Sequence, residues 1–451
     1  MFNDLSSIKL AESTLQEYSL ALMNVESDMY QELILREFFG GKPYVTTELD
    51  PVETYEHRKI QAIWDDFFAS LGYKTVKSSW GYSGKNPPIT MDIEIRPNVS
   101  KKIYKHGIVF LTNGHAPICI EINLGPKQTF FYKMHSLSET SHILRDLVKE
   151  SNLKNIYRGQ KIDCNGRFLK LDNICWDDVV LAEGIKEIIV QNIDQMFELR
   201  DDFKRFGLSV KRGVILHGEP GTGKTKICKC LAKDAKYSVL YALPSDFASM
   251  NGIKYVCDMA KDLAPCLLII EDIDWIAQDR TRGSAPFVME LMNKIDGIES
   301  FGDIITLGTT NCLGDLEEAI KNRPGRFDRL INIGLPDLIC IQKMIKAFTR
   351  RFILDKSIDI EKLAACCEKL TGAHVYDLCN TAAINAVKDK SVEGENLLLK
   401  KSHFDEAIIE IKNKNYSSYL EMQSKGKNFG FGAHRNSFID DYLMDNDQSA
   451  Y

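Results

Sequence analysis

The segment Gly218-Glu-Pro-Gly-Thr-Gly-Lys-Thr225 constrains this 451-residue chain more than any other. It lies between the apolar run Gly213-Val-Ile-Leu-His217 and the helically spaced run from Ile227 to Ala235. Strand, glycine-rich loop and helix in that order make a cradle for an anion. The glycines let backbone N–H groups approach oxygen atoms, and the helix N-terminus adds partial positive charge. Phosphate fits such a cradle: Lys224 reaches β/γ-phosphates and Thr225 offers a hydroxyl to Mg²⁺. A strand that feeds a helix through so short a loop belongs to a parallel sheet covered on both faces, hence an α/β fold.

Two further apolar runs fit the same sheet. Cys266-Leu-Leu-Ile-Ile270 reads as a buried central strand and ends in Glu271-Asp272-Ile-Asp274. Carboxylates at the end of such a strand sit beside the phosphate loop, where a divalent ion and an attacking water need them. Asp303-Ile-Ile-Thr-Leu-Gly308 ends in Thr309-Thr-Asn311, which sets an amide where it can orient a water. Arg323-Pro-Gly-Arg326-Phe-Asp328 then carries two guanidinium groups on a tight turn, and the arginine that stabilises phosphoryl transfer often comes from a neighbouring molecule.

The rest of the chain divides by periodicity. Residues 9–40 and 55–72 are apolar at helical spacing, and strand-like runs follow at Thr90 to Ile95, Lys105 to Thr112 and Ala116 to Ile122. A helix near Glu139 to Glu150 and short strands at Asn155 to Ile162 and Arg167 to Leu171 complete an N-terminal α+β domain, residues 1–170. The α/β domain spans 171–337. From Leu338 to Lys412 the spacing is helical only (Ile341, Met344, Ile345, Phe348, Leu363, Leu378, Ala382), which gives a helical lid. Residues 413–451 are poor in branched aliphatics and read as a flexible tail.

With 44% hydrophobic and 27% charged residues, the chain is neither globally disordered nor fibrous. A net charge of −6 gives no overall attraction to nucleic acid or anionic lipid. The lysines and aromatics Lys74, Lys77, Trp80, Tyr82, Lys85, Lys101, Lys102 and Lys105 are read as a solvated face rather than a single-strand platform, so nucleic acid is not an expected partner. No apolar run approaches the ~20 residues of a membrane span. Twelve cysteines without a C-x-x-C pair read as reduced thiols and suggest a cytoplasmic setting.

From about Asn173 to Lys412 the sequence resembles an AAA ATPase module, a P-loop NTPase sheet with a helical lid. The motifs that carry the resemblance come in the family's order. Walker A is Gly218, Glu219, Pro220, Gly221, Thr222, Gly223, Lys224 and Thr225; Walker B runs from Leu267 to Asp272; sensor 1 is Asn311; the arginine-finger turn holds Arg323 and Arg326. Leu370-Thr-Gly372-Ala373-His-Val is similar to the family's F-S-G-A-D-L stretch, which puts Gly372 and Ala373 at sensor 2. Trp176-Asp-Asp178-Val179-Val180 resembles the segment that the family lays against adenine. One departure stands out: the acidic pair is Glu271 then Asp272, the reverse of the usual order, a feature shared with the branch that contains the mitochondrial Rieske-protein translocase.

The resemblance implies Mg²⁺-dependent hydrolysis of ATP in a ring, a hexamer. Lys224 and Thr225 would hold the phosphates and Mg²⁺, Asp272 would position the water, Asn311 would align it, and Glu271 would hold Mg²⁺ through its water shell. Arg323 or Arg326 would act on a neighbour's nucleotide. The expected work is remodelling of a protein partner recognised by residues 1–170; the alternatives kept beside it are an ATP-dependent switch or scaffold for a separate effector such as a protease, and, against the reading of the basic residues above, a nucleic-acid-acting ATPase. In Ser245 to Gly252 only Met250-Asn-Gly252 approximates a pore loop, and Phe247 is expected in the core.

Overall fold

The computed structural model describes residues 32–79, 87–138, 141–171, 174–207, 212–247, 252–274, 303–313 and 329–411. The chain divides into two compact units, Met1–Leu169 and Lys170–Tyr451.

In the first unit, helical residues 32–38 (α1) precede β1 (Val45–Glu48), α2 (Thr54–Ser70), β2 (Lys74–Ser79), β3 (Ile89–Arg96), β4 (Val99–Thr112), β5 (Ile118–Leu124), β6 (Phe130–Ser136) and α3 (Ser141–Leu153). The strands form an antiparallel sheet in the order β1-β6-β5-β4-β2, with β3 paired to the first half of β4. Both faces of the sheet are covered. Val109, Leu111, Ile118, Ile120 and Ile122 pack beneath α2 and α3, while Ile108, Phe110 and Cys119 face Leu35 and Phe39. Alternate residues therefore point to two cores, and β5 reads as a nearly continuous apolar run. The one charged residue buried on β5, Glu121, accepts from His135 Nε2 at 2.5 Å, and Thr46 Oγ1 holds the other ring nitrogen at 2.9 Å.

Three strands, β1, β2 and β6, were not expected from the sequence. The expected strand from Asn155 to Ile162 is corrected: only Lys161–Asp163 (β7) is extended, and residues 156–159 form a turn. Asn155 Oδ1 accepts from Tyr157 N at 2.9 Å, a local side-chain bond that competes with strand geometry. Lys101 is committed to Asp65 at 2.8 Å and to the Ala62 carbonyl at 3.0 Å, which removes it from any free basic face.

His57 stacks on Phe130 with ring centroids 3.6 Å apart and shares a 2.7 Å hydrogen bond with the Tyr132 hydroxyl. Burial pushes its pKa down to about 3, from an ordinary value near 6.5. The folded state thus favours neutral imidazole. The stability this contributes is complete above pH 6.5 and is lost as pH falls from there toward 3, at roughly 1.4 kcal/mol per unit. Thermal melting of His57→Gln is expected to fall less steeply between pH 7 and pH 5 than that of the wild type. Parallel curves would show that His57 does not set the acid limb.

The second unit begins with α4 (Ile185–Asn192), α5 (Asp194–Glu198) and α6 (Arg200–Arg205). Its sheet has β8 (Arg212–His217), β9 (Ser238–Ala242), β10 (Cys266–Ile270), β11 (Ile304–Thr310) and β12 (Arg329–Asn332) in the order β12-β8-β11-β10-β9, and every pair is parallel. The helices α7 (Lys224–Asp234) and α8 (Gly252–Asp262) cross over between strands. Every residue of β9, β10 and β11 is buried, as befits strands covered on both faces. Phe247, between β9 and α8, is 1% exposed. This is the parallel α/β sheet that the sequence led us to expect.

Beyond it, α9 (Leu338–Thr349), α10 (Ile360–Cys366), α11 (Gly372–Lys388) and helical residues 401–411 share one core. Three short strands, β13 (Ile353–Leu354), β14 (Val392–Glu393) and β15 (Asn396–Leu399), pair beside them. Asp337 caps α9 by accepting from Cys340 N at 2.7 Å, and Thr371 caps α11 in a reciprocal box with His374. His374 is thereby a capping residue. No helix among the described residues is long and apolar enough to cross a membrane.

Candidate nucleotide site

The parallel register fixes the site. Ile270 lies opposite Gly308, and Thr310 opposite His217, so the residues that follow β8, β10 and β11 emerge together at the carboxyl ends of the strands. The loop after β8 curls back on itself. Lys224, the first residue of α7 and only 6% exposed, donates to the carbonyls of Gly218 at 2.8 Å and Glu219 at 2.9 Å. Thr222 Oγ1 also donates to the Glu219 carbonyl, at 2.9 Å. Burial lowers the Lys224 pKa, and the charges of Asp272 and Asp274 pull it back up.

Asp272 adopts a left-handed backbone, φ 45°, just past β10. Its N–H donates to Thr309 Oγ1 at 2.9 Å, and Asn311 Nδ2 lies 3.5 Å from its Oδ1. Burial raises the Asp272 pKa, the neighbouring Asp274 and Glu271 raise it further, and Lys224 opposes them. Glu271 takes another direction. It lies beside Cys228 and Tyr241, whose pKa values are raised by burial and then by nearby charge that includes Glu271. Glu271 Oε1 and Asp274 Oδ1 are buried with no hydrogen-bond partner among the described residues.

A cavity of about 620 Å³ opens over the loop. Its floor is Pro220 to Thr225, with Asp272, Thr309 and Asn311 at one end. Gly372 and Ala373 close it from the lid, and Ala373 N donates to the Gly221 carbonyl at 3.0 Å. Asp178, Val179 and Val180 form a further wall. Of the residues expected from the sequence, Gly218 and Glu219 act through their carbonyls on Lys224, and Glu271 lies off the cavity wall. Arg323 and Arg326 lie outside the described residues, as do Met250, Asn251 and the tail.

Sequence reasoning missed Lys226, Met344, Phe348 and Tyr376, which also line the cavity. The signal was present: Met344 and Phe348 are four residues apart on α9, and Gly372 and Tyr376 are four apart on α11, so each pair shares a helix face.

The donor set suits a nucleoside triphosphate with a hard cation. Glycines leave backbone free to approach phosphate, and a buried ammonium whose present acceptors are neutral carbonyls gains from anionic ones. The Asp272 carboxylate and the Thr225 hydroxyl, from residues on the cavity wall, are oxygen donors of the type that Mg²⁺ takes. Among the described residues no group of three or more His, Cys, Asp or Glu forms a metal cage. Water and phosphate would therefore complete the coordination.

Fold and site together define a P-loop nucleoside-triphosphate-binding domain with a helical lid. The model of the ATPase family associated with various cellular activities (AAA) matches residues 214–335, and the chain carries an AAA ATPase domain. The chain is 31% identical to the peroxisomal ATPase PEX6 of Kluyveromyces lactis over 57% of its own length and 27% of that protein. It is 33% identical to the ATP-dependent zinc metalloprotease FtsH 2 of a Thermoanaerobacter species, over 56% and 50%. It is 32% identical to the proteasome-activating nucleotidase of Methanococcus maripaludis, over 49% and 56%. The aligned stretch thus spans between about a quarter and just over half of these relatives.

Proposed function

We propose that this chain is a ring-forming AAA ATPase, hexameric and cytoplasmic, that hydrolyses ATP with Mg²⁺ and uses the cycle to remodel a protein partner held by residues 1–170. One observation carries the reading: a single cavity joins the phosphate loop, the Asp272–Asn311 pair and the lid residues Gly372 and Ala373. A lid that donates a hydrogen bond to the loop senses what the loop holds, so the site is built to convert occupancy into lid position. Twelve cysteines without a C-x-x-C pair suit a reducing compartment.

In this reading Lys224 would exchange its carbonyl acceptors for β/γ-phosphate oxygens, Thr225 and Asp272 would provide oxygen donors to Mg²⁺, and Glu271, off the cavity wall, would reach the ion only through its water shell. Mg²⁺ supplies charge that stabilises the transferring phosphoryl oxygens. Asp272 takes the proton of the attacking water, with Asn311 fixing the water's direction and holding Asp272 in place. Arg323 and Arg326 serve a neighbouring copy's site, where a guanidinium offsets the charge that develops in transfer. Asp178 and Val179 bound the base end. The names of two relatives, a metalloprotease and a proteasome-activating nucleotidase, favour a second reading in which the ring controls a separate protease.

The test uses Asp272→Asn, in which binding and turnover are separated. With ATP the variant is expected to elute as a ring and to retain a protein partner, and exchange to ADP to release that partner. A variant that stays monomeric and carries no partner in ATP sinks the proposal.

A further inference from the structure

The turn that carries Asp272 is held from two sides. β10 ends at Ile270, opposite Gly308, while β11 runs on through Thr309 and Thr310, which stay paired to Leu216 and His217 of β8. Thr309 is therefore fixed in the sheet where the neighbouring strand has already ended. On the β9 side, Glu271 N donates to the Ala242 carbonyl at 3.1 Å. On the β11 side the next N–H, that of Asp272, leaves the strand ladder and donates to a side chain, Thr309 Oγ1, at 2.9 Å. Thr309 is 1% exposed, and its branched Cβ restricts the hydroxyl to few directions.

At Asp272 itself the backbone has φ 45°. A residue other than glycine takes that left-handed conformation at a cost and keeps it where its surroundings hold it. The two carboxylates part at this turn. Asp272 lines the cavity, with its Oδ1 3.5 Å from Asn311 Nδ2, whereas Glu271 does not line it. Ile273 then closes over Gly308, where a Cβ would collide with it, so the turn lies directly on β11.

Resting on the reading of Asp272 as the residue that directs the attacking water, we propose that Thr309 is its positioning residue. The Thr309 hydroxyl oxygen, by accepting from the Asp272 N–H, holds the left-handed turn that brings Asp272 rather than Glu271 to the cavity. Valine has the same branched shape and no acceptor. With valine at 309 the Asp272 N–H loses its partner, the turn relaxes toward extended backbone, and the carboxylate leaves its place beside Asn311. Serine keeps the acceptor. The phosphate cradle is built on β8 and α7 and its lysine bonds within the loop, so the grip on the triphosphate does not depend on this turn.

Phosphate release and calorimetric titration with ATP, both on the full chain, test this. Thr309→Val is expected to lower kcat about thirtyfold while the Kd for ATP stays within about threefold of the wild type, and Thr309→Ser to recover most of the rate. Thermal melting adds a reading that does not involve turnover. Glycine takes positive φ freely, so Thr309→Val should lower the melting temperature less in an Asp272→Gly background than in the wild type. Should Thr309→Val fail to melt cooperatively, Thr309→Ala carries the same comparisons. A folded Thr309→Val that turns over ATP as the wild type does, a Thr309→Ser as slow as Thr309→Val, or equal melting losses in the two backgrounds overturns the role of Thr309 and leaves that of Asp272 standing. An Asp272→Asn variant that keeps the wild-type rate overturns the underlying reading as well.

Discussion

Lys224→Ala is expected to lose ATP binding outright, whereas Asp272→Asn binds ATP nearly as the wild type does and turns it over at least about a hundredfold more slowly. The difference follows from where the two groups sit. The Lys224 ammonium is buried in the loop against two backbone carbonyls, and it is the cation that the phosphates would meet in the cradle. Removing it leaves acceptors turned toward anions. Asp272 lines the cavity beside Asn311, and in the proposed cycle its main work is on the attacking water rather than on the phosphate cradle. Wild-type turnover is itself expected to be slow: an aspartate in the second position of the acidic pair is one methylene shorter than a glutamate, which moves its carboxylate by about 1.5 Å. Titration with nucleotide and steady-state phosphate release check both variants. If Asp272→Asn kept most of the wild-type rate while Glu271→Gln abolished it, the two carboxylates would have to exchange roles.

The positions of Glu271 and Asp272 illustrate what a sequence can and cannot convey. Walker A and the apolar strand before Glu271 are local patterns, and local patterns specify strand, loop and helix directly. The parallel sheet followed from them. Which carboxylate enters the cavity depends on the left-handed turn at Asp272 and on the proximity of Glu271 to Tyr241 and Cys228, which are tertiary facts. Phe348 and Tyr376 were hidden for a related reason: each reads as an ordinary apolar position of a lid helix, and only the packing of α9 against α11 brings the rings together. In the first unit, β6 (Phe130–Ser136) alternates buried residues with Phe131 and Lys133, yet Gly125-Pro126 before it and the polar tail after it disguise a strand that needs β5 and β1 on either side. The turn at Asn155 failed the other way. Its apolar and aromatic residues look extended, while the Asn155 side chain bonds the backbone and closes it.

Gly218→Ala is expected to cost more stability than any other single methyl group added to the phosphate loop. Gly218 has φ 151°, and a Cβ there would lie 2.1 Å from the Ile333 carbonyl oxygen, a backbone atom. Ile333 is anchored on its amino side, where its N–H donates to the His217 carbonyl at 2.7 Å and ties the end of β12 to the end of β8, so the carbonyl can yield only by rotation of the Ile333–Gly334 peptide. Overpacking against backbone together with strain gives a loss of roughly 2–6 kcal/mol. For Gly221 the neighbours are the lid's Ala373 Cβ at 2.8 Å and Thr371 Oγ1 at 2.9 Å, with φ at 82°. Gly221→Ala should therefore push the lid off the loop and break the bond from Ala373 N to the Gly221 carbonyl, weakening nucleotide binding more than it lowers the melting temperature. Gly223 has φ 102° but open space around its Cβ position, so Gly223→Ala bears only backbone strain, about 1–3 kcal/mol. The expected order of melting temperatures is Gly218→Ala lowest and Gly223→Ala highest, with Gly221→Ala separated from both by its loss of affinity relative to its stability. Equal melting temperatures for Gly218→Ala and Gly223→Ala would mean that β12 yields at Ile333 and that the end of the sheet is softer than its hydrogen bonds imply.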